Sequence, residues 1–186
     1  MTDIERNRDL DIVVYGATGF TGTLVAEYLL RQYGVGKDVR WAIAGRSASK
    51  LADVKQQLGE SAADLEIIVA DSSDKDALAS LANRTRVVLT TVGPYAIYGS
   101  TLVAACIEAG TDYCDLAGET QWIRKMIDTY HERARETGAR IVHCCGFDSV
   151  PMDMGVWFLQ DAAQKNHGAY CKKFSLYVKA TKGTAS

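Results

Sequence analysis

The chain has no run of about 18 apolar residues, so it offers no helix to span a bilayer. Excess charge of one sign is also missing. A formal net charge of −2 supplies no basic face for nucleic acid. The five cysteines are an odd count without a Cys-x-x-Cys pair, which argues against a disulfide framework. That usage suits reduced thiols in a cytoplasmic protein. The opening residues, Met1 to Asp9, are too polar for a secretory signal. No internal repeat or low-complexity segment interrupts the chain. What is left, at 186 residues, 47% hydrophobic and 24% charged, is material for one well-packed globular domain and the beginning of another.

The most informative stretch is Val13-Val14-Tyr15-Gly16-Ala17-Thr18-Gly19-Phe20-Thr21-Gly22. An apolar strand-like run reaches a glycine, turns through a second and opens a helical pattern at a third. The spacing is Gly-x-x-Gly-x-x-Gly, and its physics is that of a dinucleotide-binding turn. One glycine permits the tight turn, one lets a pyrophosphate approach the backbone, and one lets helix and strand pack closely. The helix N-terminus then presents N–H groups and a positive dipole end to the anion. That dipole contributes only about 0.3–2 kcal/mol, so the remainder of the cofactor must be held elsewhere.

Strand-like runs recur at 11–15, 40–44, 65–70, 86–92, 113–116 and 140–145. Amphipathic stretches lie between them, several stopped by glycines such as Gly34, Gly59, Gly110 and Gly138. Strict alternation, with strands almost continuously apolar, predicts an α/β fold with a doubly wound parallel sheet. After about residue 170 the pattern changes. Phe174 to Thr181 alternates with period two, the mark of a half-covered strand in a different kind of sheet. The expected organisation is a cofactor domain over 1–170 and, at 171–186, the first strand of a second domain that the chain does not include.

The second strand ends Ala44-Gly45-Arg46-Ser47. A carboxylate here bonds the ribose 2′-OH of NAD, whereas an arginine accommodates the 2′-phosphate of NADP. No carboxylate is present, and Ser47 and Lys50 add donors beside Arg46. Charge-assisted bonds of this kind contribute about 1.5–3 kcal/mol each. Asp71 and Ser72 follow the third strand, where they either bond the adenine or cap the next helix. The loop Val92-Gly93-Pro94-Tyr95 after the fourth strand is expected beside the ribose and nicotinamide, with Tyr95 and Tyr98 as possible proton donors. Asp115 and Glu119 are close enough in sequence for acid–base work, though a helix N-terminus would also account for Glu119. His143 and Cys144 are adjacent on a strand and so point to opposite faces, which makes neither a metal site nor a Cys–His nucleophile pair. Ser149 and Pro151 read as the cap and first turn of a helix. Tyr33-x-x-x-Lys37 has the spacing of a short-chain dehydrogenase pair, but it lies at the wrong end of the first helix and has no second copy.

Taken together, the motifs Tyr15–Gly22, Ala44–Ser47, Thr91–Tyr95, Tyr98-Gly99, Tyr113–Glu119 and Cys145–Pro151 resemble the saccharopine dehydrogenase-like oxidoreductases. The likeness is greatest to the trans-acting enoyl reductases that serve polyketide synthases in bacterial lipid synthesis. The resemblance implies a Rossmann domain followed by a mixed α/β domain. It also implies NADPH as cofactor and hydride transfer to an enoyl double bond of a small-molecule or lipid-linked substrate. Two alternatives stay open: reduction of an amino-acid-derived imine or carbonyl, and a non-catalytic NADP-binding sensor or scaffold. The catalytic acid is unassigned, with Tyr98 and Asp148 as candidates. A homodimer through the second domain or its first strand is a further expectation. The 186-residue chain alone is expected to be inactive, because the substrate site would lie between two domains.

Overall fold

The computed structural model describes residues 8–177. They divide into two compact units, one ending at Cys145 and the other beginning at Gly146. This break precedes the boundary expected near residue 170.

The first unit is a six-stranded sheet: β1 (Leu10–Tyr15), β2 (Trp41–Gly45), β3 (Glu66–Val69), β4 (Thr85–Thr90), β5 (Asp112–Asp115) and β6 (Ile141–Val142). Its order is β3-β2-β1-β4-β5-β6 and every pairing is parallel. The central strands are covered on both faces, which is why they read as continuous apolar runs. Val14, Trp41 and Ile43 face α1 (Phe20–Tyr33) and α2 (Ala48–Gln57). Val13, Tyr15, Ala42 and Ala44 face the other way, into a core with α3 (Lys75–Arg84), α5 (Ser100–Ala109) and α6 (Thr120–Thr137). Between β4 and α5 lies a single short turn of helix, α4 (Tyr95–Tyr98). No helix among the described residues is long and apolar enough to cross a membrane.

Two sequence expectations are altered. β4 stops at Thr90, two residues before the expected end, because the chain leaves the ladder there to form a loop. β6 is only two residues long, against an expected 140–145. It breaks off because His143 and Cys144 turn toward Asp115: the Cys144 N–H donates to Asp115 Oδ1 and the Cys145 N–H to the Asp115 carbonyl. Cys144 takes a left-handed φ of 62° in doing so.

At the opposite, amino-terminal edge of the sheet, buried Arg8 clamps the ends of two helices. Its guanidinium donates to the carbonyls of Ala82 in α3 and Ala109 in α5, to the Thr85 carbonyl at 2.7 Å, and to the Thr111 hydroxyl. A cation at two helix C-termini meets terminal carbonyls and negative dipole ends.

The second unit contains α7 (Val150–His167), opened by Ser149 without a side-chain cap, with Pro151 in its first turn and Gly168 ending it. The Gln160 side chain bonds both the N–H and the carbonyl of Cys171. Of the strand expected over 174–181, residues 174–177 carry no strand and 178–181 lie outside the described residues.

Replacing Arg8 by Met should remove several charged hydrogen bonds at a buried site, at a cost of about 2–3 kcal/mol. Urea unfolding of the variant checks this. An unchanged midpoint would mean that the clamp contributes no stability.

Candidate functional site

Tyr15, Ala44 and Thr90 pair in register across β2, β1 and β4, so the three strands end level. The Gly16 turn therefore opens at the carboxyl edge, at the point where the strand order reverses. Gly16 has a φ of +92°, and a Cβ there would stand 2.5 Å from Val92 Cγ2. Its carbonyl accepts the Gly19 N–H at 3.0 Å and the Thr91 hydroxyl at 3.2 Å, tying the turn to the start of the β4 loop. Thr23 closes it from the helix side by donating to the Ala17 and Gly19 carbonyls.

The second and third glycines do different jobs. A Cβ at Gly22 would lie 2.2 Å from the Gly16 carbonyl oxygen and 2.8 Å from Ala17 Cα, so this residue sets how closely α1 approaches β1. A Cβ at Gly19 would meet only Gly16 O, at 3.4 Å, an ordinary contact. Nothing among the described residues requires glycine at 19. The open space above it does, if a ligand lies there. α1 has neither a side-chain cap nor an acidic residue in its first turn. By contrast, Ser47 caps α2 through the Lys50 N–H, and Asp74 caps α3 through the N–H groups of Asp76 and Ala77.

A cleft of about 300 Å³ lies over this turn, lined by Tyr15, Gly16, Thr18, Gly19, Gly45, Arg46, Ser72, Thr91, Val92, Gly93 and Tyr98. Seven of the expected cofactor residues are thus gathered: Gly16, Thr18, Gly19, Arg46, Ser72, Val92 and Gly93. Phe20 and Thr21 lie in the adjoining first turn of α1. Lys50 is exposed on α2 and lines no part of the cleft, and the Ser47 hydroxyl is engaged as the α2 cap. Asp71 beside the cleft accepts from the Ser73 hydroxyl and N–H, which hold its carboxyl below the usual range, with a smaller pull from Arg46. Asp71 therefore shapes the turn, while Asp74 caps the helix.

Pro94, which is exposed, and Tyr95, which is buried, do not line the cleft. Tyr95 is 4% exposed. Its hydroxyl donates to the Thr90 carbonyl and accepts from the Leu116 N–H, and burial pushes its pKa up to about 12. Tyr15 is similarly pushed up to about 12 by burial, its hydroxyl donating to the Ala70 carbonyl.

The two carboxylates Asp115 and Glu119 do not face each other across a substrate. Glu119 accepts from the N–H groups of Tyr95 (2.6 Å) and Ala96 (2.8 Å), capping α4 rather than its own helix. Asp115 is buried and accepts from Tyr113 Oη (2.9 Å), His143 Nδ1 (2.6 Å) and the N–H groups of Ala117 and Cys144. Sequence reasoning missed this Tyr113–Asp115–His143 cluster. Asp115 and His143 end neighbouring strands, and that shared position was the available signal. The His143 ring also forms one wall of a second, apolar groove of about 320 Å³ between α5, α6 and β6. Asp148 belongs to the second unit.

A parallel sheet in this order, with an uncapped glycine turn at its reversal point, defines a dinucleotide-binding domain of the Rossmann type. The comparison with protein families agrees: residues 12–142 match the saccharopine dehydrogenase NADP binding domain. The chain belongs to that family. Among curated relatives it is 53% identical over 152 residues to a trans-acting enoyl reductase of Mycobacterium tuberculosis, covering 82% of this chain and 36% of the relative. It is 52% identical over 152 residues to one from Mycobacterium leprae, with the same coverage. A second M. tuberculosis relative is 51% identical over 176 residues, or 95% of this chain and 41% of its own. The chain thus spans about two fifths of the length of the curated relatives it matches. Among solved structures, yeast saccharopine dehydrogenase (L-Glu forming) has a TM-score of 0.63 at 16% identity, over 84% of this chain and 32% of its own. The triphenylmethane reductase of a Citrobacter species, solved with NADP(H), has a TM-score of 0.54 at 17% identity, over 85% of this chain and 55% of its own. At such identities these two structures establish the fold.

The glycine contrast is testable by stability alone. Gly22→Ala should lose about 1–3 kcal/mol, because backbone rather than a flexible side chain stands in the way. Gly19→Ala should unfold close to the wild-type midpoint. Equal losses in urea titrations would mean that both glycines serve packing.

Proposed function

We propose that this domain binds NADP(H) and belongs to an enoyl reductase that delivers hydride from NADPH to the C=C bond of a lipid- or polyketide-linked thioester. The observation that carries the cofactor half is Arg46. It is exposed at the end of β2, lines the cleft beside Ser72, and forms no ion pair among the described residues. No acid replaces it to select a free 2′-hydroxyl. The family match and the names of the mycobacterial relatives support the enoyl substrate.

In this reading the N–H groups at the start of α1, above Gly19, hold the pyrophosphate. Arg46 takes the 2′-phosphate by charge-assisted bonds, and Ser72 lies on the adenosine side. Val92 and Gly93 wall the nicotinamide end, where a residue without Cβ leaves room for the ring. The cofactor supplies the hydride when bound. The protein orients it and excludes competing positions. Glu119 holds the loop from Gly93 to Tyr98 by its two bonds to α4, so the cleft wall is fixed before ligand arrives.

Arg46→Ala should weaken NADP(H) binding by about 1.5–3 kcal/mol and leave NAD(H) binding nearly unchanged. Calorimetric titration of both cofactors decides it, and equal loss for both would refute the assignment. Gly19→Val should fold normally yet lose NADP(H) binding, since its side chain fills the space kept for the pyrophosphate. Turnover is tested by NADPH oxidation with the full-length protein against enoyl thioesters and imino acids. Oxidation with imino acids alone would move the substrate to the amino-acid class. Tight NADPH binding without any turnover would favour a sensor or scaffold.

A further inference from the structure

A reductase that adds hydride to one carbon of a double bond needs a proton for the other, and the cleft narrows the source. The adenosine half of the ligand belongs over β1 to β3, so the donor must lie toward the β4 loop. On that side the Thr91 hydroxyl is committed to the Gly16 carbonyl, and the Tyr95 hydroxyl, outside the wall, to the Thr90 carbonyl. The Tyr15 hydroxyl reaches the other way, to the Ala70 carbonyl after β3. Burial also raises the pKa of Tyr15 and Tyr95, so both hold their protons more tightly. The remaining phenol is Tyr98. It lines the cleft with Val92 and Gly93, is 38% exposed, and its hydroxyl has no hydrogen-bond partner among the described residues.

Tyr98 is also well placed mechanically. It ends α4, whose start is fixed by Glu119 and whose Tyr95 ring packs on Trp122 at 5.5 Å between centroids. Gly99 behind it is closely packed, since a Cβ there would stand 2.7 Å from Trp122. The turn is anchored on its buried side and presents one phenol to the cleft.

We propose that Tyr98 is the catalytic proton donor of this site. The assignment rests on the enoyl-reductase reading above. Bound NADPH would supply a hydride to the β carbon of the enoyl thioester, and the C=C π pair would move to the α carbon, where the thioester carbonyl delocalises it. The Tyr98 O–H bond then breaks and a C–H bond forms at the α carbon. The phenolate recovers its proton from water, which the exposure of the ring allows.

The test uses full-length protein carrying Tyr98→Phe, which removes the hydroxyl and keeps the ring. NADPH affinity by calorimetry should stay within about twofold, while kcat for an enoyl thioester should fall by about 100-fold or more. Ring-carbon NMR of 13C-labelled tyrosine supplies a readout independent of turnover. The signal missing from Tyr98→Phe should be one that shifts when NADP+ is titrated into the wild type. An active wild type with an equally active Tyr98→Phe overturns the assignment, as does a Tyr98 signal indifferent to NADP+. A wild type that binds NADPH but reduces no enoyl thioester overturns the functional reading, and the proton-donor role with it.

Discussion

The approach of α1 to the end of β1 governs what this domain can do. Gly22 rests against the Gly16 carbonyl at a distance that no Cβ would survive. Because the helix sits so low, its uncapped first turn faces the carboxyl edge of the sheet. The same carbonyl also receives the Gly19 N–H and the Thr91 hydroxyl. One oxygen therefore joins the turn, the helix and the β4 loop. Moving α1 outward by the width of a methyl group would separate all three and open the floor of the cleft.

The rest of the sheet supports that arrangement from two ends. At the amino-terminal edge, Arg8 binds α3 and α5 to the start of β4 through backbone carbonyls. At the carboxyl edge, two carboxylates organise loops. Asp115 gathers Tyr113, His143 and the turn at Cys144, and Glu119 holds α4. Both use charge-assisted bonds to neighbouring donors, which are shorter and stronger than neutral ones. The wall of the cleft is thus set by groups that never enter it. This division of labour explains why loops bearing glycine and tyrosine keep a defined shape between β4 and α5.

Much of the fold was legible in the chain. Apolar runs covered on both faces and glycine-stopped amphipathic stretches predicted the strand–helix alternation, and the structure follows it with shifts of a residue or two at most strands. The exceptions have physical causes. β6 is cut short because Asp115, on the neighbouring strand, draws in the backbone after Val142, a pull that no local pattern encodes. The residues that line the cleft were also largely legible, since Gly16, Gly19, Arg46 and Gly93 occupy positions that strand ends dictate. Sequence alone leaves Tyr95 beside the ribose and nicotinamide as a possible proton donor, whereas its hydroxyl is taken up by Thr90 and Leu116 beneath the loop.

By itself the sequence determined the class of fold, the location of the dinucleotide turn and the sign of the charge at the end of β2. These depend on local spacing and on periodicity, which a linear chain displays. Only the tertiary structure decided which glycine serves packing and which leaves open space, because the difference lies in atoms brought from elsewhere in the fold. It likewise decided that Asp115 and Glu119 belong to separate networks although three residues separate them. And it distinguished Tyr98 from Tyr95, three positions apart on one helical turn. One hydroxyl is held between a backbone carbonyl and a backbone N–H, and the other meets the cleft, a difference of environment that sequence does not carry.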